Sequence, residues 1–150
     1  MNSGQFVGAD KVITQLIAKN EKNDYYWTLK GELLDAKKRY DSAIYYYNYA
    51  LVLDPNSGAK ISRALTYIKI GEFNKAIADY RSAYEGNYDF SYNLATTFEL
   101  NNQKDSALMY YKIYLEHYPD SLVKQLNIQG VTLSHSIDTV QARIKRLRQN

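Results

Sequence analysis

Three stretches of the chain can be laid over one another: KRYDSAIYYYNYAL (38–51), GEFNKAIADYRSAY (71–84) and NQKDSALMYYKIYL (102–115). Ala43, Ala76 and Ala107 stand 33 and then 31 residues apart. An aliphatic residue follows each alanine, and a tyrosine comes three further on, at Tyr47, Tyr80 and Tyr111. Upstream of each stretch lies a second helical pattern. Its small residue is Gly31, Ala64 or Ala95, with Leu34, Tyr67 or Phe98 three positions later. A period in this range means a stack of identical supersecondary units, none of which buries its apolar face alone.

The spacing has a packing reason. Two antiparallel helices approach closely only where one side is small, so Ala43 is expected to face Gly31, and Ala76 to face Ala64. A large ring then fills the gap beside each small residue, as ridges pack into grooves. Asp54-Pro55 and Tyr118-Pro119 should stop helices, because proline lacks an amide donor and restricts the residue before it. Asp41 and Asp105, each two residues before its alanine, read as helix starters.

The pattern resembles the tetratricopeptide repeat, a helix-turn-helix unit of about 34 residues. Trp27, Gly31, Ala43, Tyr47, Ala50 and Pro55 fall at that family's spacing, whereas Lys30 and Leu34 depart from it and Tyr114 stands where a small residue is usual. The resemblance implies an all-α, right-handed solenoid of antiparallel helix pairs. Within one domain of 150 residues the expected divisions are a half repeat at 4–23, repeats at 24–56, 57–87 and 88–121, and closing helices over 122–150. The first piece rests on Gly4, Phe6 and Ala9, which echo Gly71, Phe73 and Ala76. Residues 9–20 then read as a second helix without its first, either a lone packing helix or the cut end of a longer array. In the last piece 120–130 and 138–148 look helical, with Ile137, Val140, Ile144 and Leu147 on one face.

Sixteen tyrosines raise the question of a ring-lined binding surface. Ala43, Ile44, Tyr47, Ala50 and Leu51 share one face of a helix, so Tyr47, Tyr80 and Tyr111 are expected in the core. Tyr45 and Tyr49 point the other way, and Met109 and Ile113 are their equivalents in the third unit. Two readings stand: scattered exposed apolar residues, which are normal, or a convex contact face for a dimer or neighbouring domain.

Catalytic chemistry is not legible. The chain has no cysteine and two histidines, His117 and His135. No phosphate-binding glycine loop, GxSxG or HExxH is present. We therefore expect no enzyme activity, catalytic residue, cofactor or metal. The net charge of +3 is modest and spread along the chain until its end, where RIKRLRQN places Arg143, Lys145, Arg146 and Arg148 in six residues. Cations suit the negative end of a final helix, and nucleic-acid binding is disfavoured because most rings are expected to be buried. No apolar run reaches the length of a membrane span. The compartment stays open, with the cytoplasm favoured and the periplasm following if the chain is part of a longer one.

In this family the first helices line a concave groove. The inward positions would be Tyr25, Thr28, Glu32 and Asp35; Ile61, Leu65, Ile68 and Lys69; and Tyr92, Thr96 and Glu99. Members that grip a chaperone's C-terminal carboxylate place lysine and asparagine where this chain has Thr28 and Glu32, so that clamp is not expected. An apolar centre with acidic flanks suits a peptide with an aliphatic anchor and basic neighbours. Equally, Leu65 and Ile68 could pack on the chain's own helices. The expected function is a non-enzymatic scaffold for a protein or peptide partner. The alternatives are self-association through the convex face, or a regulatory segment of a larger protein.

Overall fold

The computed structural model describes residues 3–84, 88–119 and 136–149. Among them are eight α-helices, one 3₁₀ turn and no strand. The helices are α1 (Ser3–Lys19), α2 (Asp24–Ala36), α3 (Tyr40–Leu53), α4 (Ala59–Lys69), α5 (Phe73–Tyr84), α6 (Ser91–Leu100), α7 (Lys104–His117) and α8 (Ile137–Gln149). The 3₁₀ turn, Tyr88–Phe90, leads into α6. The chain divides into two compact units, Met1–Ala83 and Tyr84–Asn150. The expected segment 120–130 lies outside the described residues.

The turn inside each pair repeats as faithfully as the helices. Lys38, Gly71 and Asn102 take left-handed backbone at φ 58°, 79° and 56°. One residue further on, the amides of Arg39, Glu72 and Gln103 donate to the carbonyls of Leu34, Tyr67 and Phe98 at 2.9, 2.9 and 2.8 Å. Each first helix thus ends in a Schellman-type closure, which needs one residue at positive φ. Glycine and asparagine accept that conformation readily, whereas lysine is strained by it.

Between the first two pairs the chain turns at Asp54-Pro55. Asp54 is extended, and its carboxylate accepts from the Asn56 amide at 2.8 Å. Asp41 and Asp105 do not cap their helices. α3 and α7 each begin one residue earlier, behind Arg39 and Gln103, which make no side-chain cap bond. The two aspartates sit in the first turn, where the helix dipole favours them. A true side-chain cap is Asn23, whose Oδ1 accepts from the Tyr25 amide at 3.0 Å.

In the first unit, Leu34, Ala43, Tyr47, Ala50 and Ala59 form a core against which Trp27, Tyr46 and Leu51 pack. Gly31 lies against the Tyr47 ring. α1 is a single helix running through Gly4 and Phe6, where the equivalent segment at Gly71 makes a turn. It packs on α2 through buried Ile13 and an Asp10–Lys30 ion pair at 2.8 Å. In the second unit, Leu94, Ala95, Phe98, Ala107, Tyr110, Tyr111 and Tyr114 are buried, as are Val140 and Ile144 of α8.

Candidate interaction face

The inward positions of α2 recur at Thr28, Glu32 and Asp35, three to four residues apart and hence on one side of the helix. The structure turns that side toward α4. Thr28 Oγ1 lies 3.5 Å from Ser57 Oγ, Ser62 Oγ donates to Glu32 at 2.9 Å, and Thr66 Oγ1 donates to Asp35 at 2.8 Å. Lys69 Nζ closes the row on the other oxygen of Asp35. Thr28 is buried, and it also donates to the Asp24 carbonyl of its own helix. Three candidates, Thr28, Asp35 and Lys69, are thus engaged inside the first unit. Glu32 is exposed but carries the Ser62 hydroxyl.

What remains open is mostly apolar. Tyr25 at the start of α2 is 59% exposed, and Leu65 in the middle of α4 is 46% exposed. Ile61 and Ile68, four residues before Leu65 and three after it, are half-buried on the same face of α4. The polar row holds α2 and α4 side by side, so the face presents a wide aliphatic centre with Glu32 as its exposed carboxylate.

The second unit treats its equivalents differently. Tyr92 is buried, its ring 5.9 Å from Tyr111 and 5.6 Å from Tyr114. The reason lies opposite: Tyr114 occupies the position of Ala50 and Ala83, and the larger ring draws Tyr92 inward. Thr96 donates to its own helix, at the carbonyls of Tyr92 and Asn93.

Glu99, one repeat frame from Ile68 and two from Asp35, is taken by the final helix. Tyr111 donates to it at 2.7 Å and Arg143 at 3.0 Å, and Arg146 pairs with its other oxygen. Asp35 meets Thr66 and Lys69 of α4; Glu99 meets Arg143 and Arg146 of α8, again three residues apart. α8 packs on α7, and its two arginines reach across to Glu99 of α6. Burial pushes the Glu99 carboxyl up, but the bonds from Tyr111 and Arg143 and the charges of Arg143 and Arg146 prevail and hold it below its ordinary value. Burial, and then the same carboxylate, raise the Tyr111 phenol, which stays protonated as a donor.

On the expected convex face, Tyr45 is 64% exposed, with its ring edge on Tyr46 at 5.2 Å. Tyr49 is less free than its position suggests, because its ring lies 4.5 Å from Trp27. Val52, absent from the sequence expectation, is 81% exposed and continues the row 45, 49, 52 along α3. In the second unit Met109 is exposed, and half-buried Ile113 joins it around a shallow hollow with Leu108. Among the described residues no cluster of His, Cys, Asp or Glu could hold a metal ion, and no helix is long and apolar enough to cross a membrane.

Two family models, both described as tetratricopeptide repeat, match residues 1–58 and 89–121. No curated protein matches the chain. Several solved structures share the fold at low identity. The first TPR of Spaghetti (RPAP3), solved with the HSP90 peptide SRMEEVD, is 18% identical, covering 85% of this chain and 91% of its own, at TM-score 0.65. MamA is 19% identical over 97% of this chain and 88% of its own, at TM-score 0.68. BtubC from P. vanneervenii is 15% identical over 97% and 74%, at TM-score 0.70.

Proposed function

Because the chain belongs to the tetratricopeptide-repeat family, we propose that it is a non-enzymatic scaffold that binds a partner peptide on the inner face of α2 and α4. The observation that carries this reading is Leu65, an aliphatic side chain 46% exposed at the centre of a first helix, flanked by half-buried Ile61 and Ile68. A surface of this kind takes an aliphatic anchor from an extended or helical segment. Tyr25 adds an exposed ring, and Glu32 favours a basic neighbour on the ligand. The acidic flank is narrower than the sequence suggests, since Asp35 is paired with Lys69.

The neighbour solved with SRMEEVD is a different case. Where a carboxylate-binding member would place lysine and asparagine, this chain has buried Thr28 and acidic Glu32. An acidic C-terminal peptide would meet repulsion here, so the likeness carries over the fold and not that ligand.

The test compares wild type with Leu65→Glu in a cross-linked capture from the source organism, after circular dichroism has established that the variant is folded. A specific protein held by wild type and lost by the variant supports the reading. An unchanged catch removes the inner face from consideration.

A second reading rests on α3. Tyr45, Tyr49 and Val52 form an exposed apolar row where a solvated helix would carry charge. A homodimer built on this row would sediment at twice the monomer mass and fall to monomer in Tyr45→Glu/Val52→Glu. A wild type that is already monomeric at high concentration rules it out.

A further inference from the structure

The basic end of the chain divides into two faces once α8 is in place. Arg143 and Arg146 turn to Glu99. Lys145 and Arg148 turn the other way, over a trough of about 440 Å³ between α7 and α8. Leu115 and Ile144 line its apolar part, and Lys112 of α7 supplies a third cation. Among the described residues no carboxylate lines it. Lys112, Lys145 and Arg148 are exposed, and none has an ion pair among the described residues. Lys112 also borders the neighbouring hollow on the other side of α7, where Asp105 and Glu116 lie with Met109, so Lys145 and Arg148 are the cations that belong to the trough alone. A second depression, formed by Leu115, Tyr118, Pro119, Ile137 and Gln141, continues the trough and shares Leu115 and Gln141 with it. From Ile137 to Arg148 the joint trough runs about 16 Å, roughly three helical turns.

We propose that this trough docks an acidic amphipathic helix of a partner protein. An aliphatic stripe spaced at three and four residues would lie on Leu115 and Ile144, and carboxylates flanking it would reach Lys112 on one wall and Lys145 and Arg148 on the other. Charge selects this occupant. The chain's own intervening segment, 120–135, carries one carboxylate, Asp120, against one lysine, Lys124, and cannot neutralise three cations. A nucleic-acid strand would need rings free for stacking, and the ring in the trough, Tyr118, lies against Tyr114 at 5.0 Å. The trough shares no residue with the inner face of α2 and α4, so either can fail without the other.

Amide chemical shifts of the full chain, titrated with three synthetic fourteen-residue peptides, decide the matter. The first carries leucine at helical spacing with glutamate elsewhere; the second replaces glutamate by lysine; the third replaces leucine by alanine. The first peptide should shift amides of α7 and α8, weaken at least tenfold in Lys112→Glu/Lys145→Glu/Arg148→Glu, and weaken with added salt. The lysine and alanine peptides should bind at least tenfold more weakly. Equal binding of either control peptide overturns the proposal, as does a shift pattern outside α7 and α8. Tighter binding of oligothymidylate at the same amides overturns it in favour of nucleic acid. The comparison among peptides needs no variant, so it stands even if the triple substitution unfolds.

Discussion

A Cβ placed on Gly31 would lie 2.5 Å from Cε1 of the Tyr47 ring and 2.6 Å from Cδ1. Tyr47 is buried and cannot swing away. The first helix pair therefore closes tightly where Gly31 meets the Tyr47 ring. Gly31→Ala should destabilise the protein by about 1–3 kcal/mol through overpacking, despite a gain of up to about 1 kcal/mol in helix propensity. Tyr47→Leu in the same chain should relieve the clash, giving a double variant more stable than the sum of the two singles. Urea unfolding of the four proteins would show it; strict additivity would mean that the two residues do not oppose each other.

The second pair is held by a different device. Arg63 of α4 grips Asp79 of α5 through two bonds, Nε to Oδ2 at 2.8 Å and Nη2 to Oδ1 at 2.6 Å, while Nη1 reaches Asn48. Asp79 is buried. Arg63→Met strands a buried carboxylate and should cost roughly 3–5 kcal/mol, whereas Arg63→Met/Asp79→Leu should recover most of that loss, since an apolar pair often replaces a buried ion pair without penalty. A double variant as unstable as the single would place the contribution of Arg63 elsewhere, in its contact with Asn48.

The three turns give a prediction of opposite sign. Lys38 holds φ 58° where the equivalent residues are Gly71 and Asn102. Lys38→Gly should stabilise the protein by about 1 kcal/mol by removing left-handed strain from a side chain that dislikes it. Thermal and urea midpoints should both rise; a fall in either would show that the Lys38 side chain contributes more than its backbone costs.

The repeat frame made the helix pairs and their buried rings readable, because a recurring alanine and tyrosine can pack in few ways. The left-handed position of the turn inside each pair is invisible as a motif, because it reads Lys, Gly and Asn in successive units. The inner face was harder to read. Periodicity identifies which side of α2 is shared by Thr28, Glu32 and Asp35, yet it does not say that Ser62, Thr66 and Lys69 will meet them. Tyr92 was expected on the inner face; its burial beside Tyr114, a ring in an alanine position, was not legible from periodicity. The division of Arg143 and Arg146 from Lys145 and Arg148 needed the docking of α8; in the sequence all four read as charge near a helix end.

That docking is sensitive to acid. Glu99 is held below its ordinary value in the folded protein, so its contribution is fully present above the unfolded carboxylate value, about 4.3, and is lost as pH falls through the lower folded value. Its side chain is mostly buried, while that of Arg146 is largely exposed. Arg143, which also donates to the Tyr111 hydroxyl of α7, therefore supplies more of the attachment than Arg146, whose exposed charge is screened. At pH 7, Glu99→Gln should cost about 1.5–3 kcal/mol, the range for a hydrogen bond to a charged group. Amide exchange in α8 should accelerate in that variant more than exchange in α2 or α3. Below about pH 4.3 the wild type should lose stability faster than Glu99→Gln, so the gap between them narrows as the carboxylate takes up its proton. Parallel curves from pH 7 to pH 3 would mean that the ionised carboxylate does not fasten α8, and that Val140 and Ile144 hold the helix by packing alone.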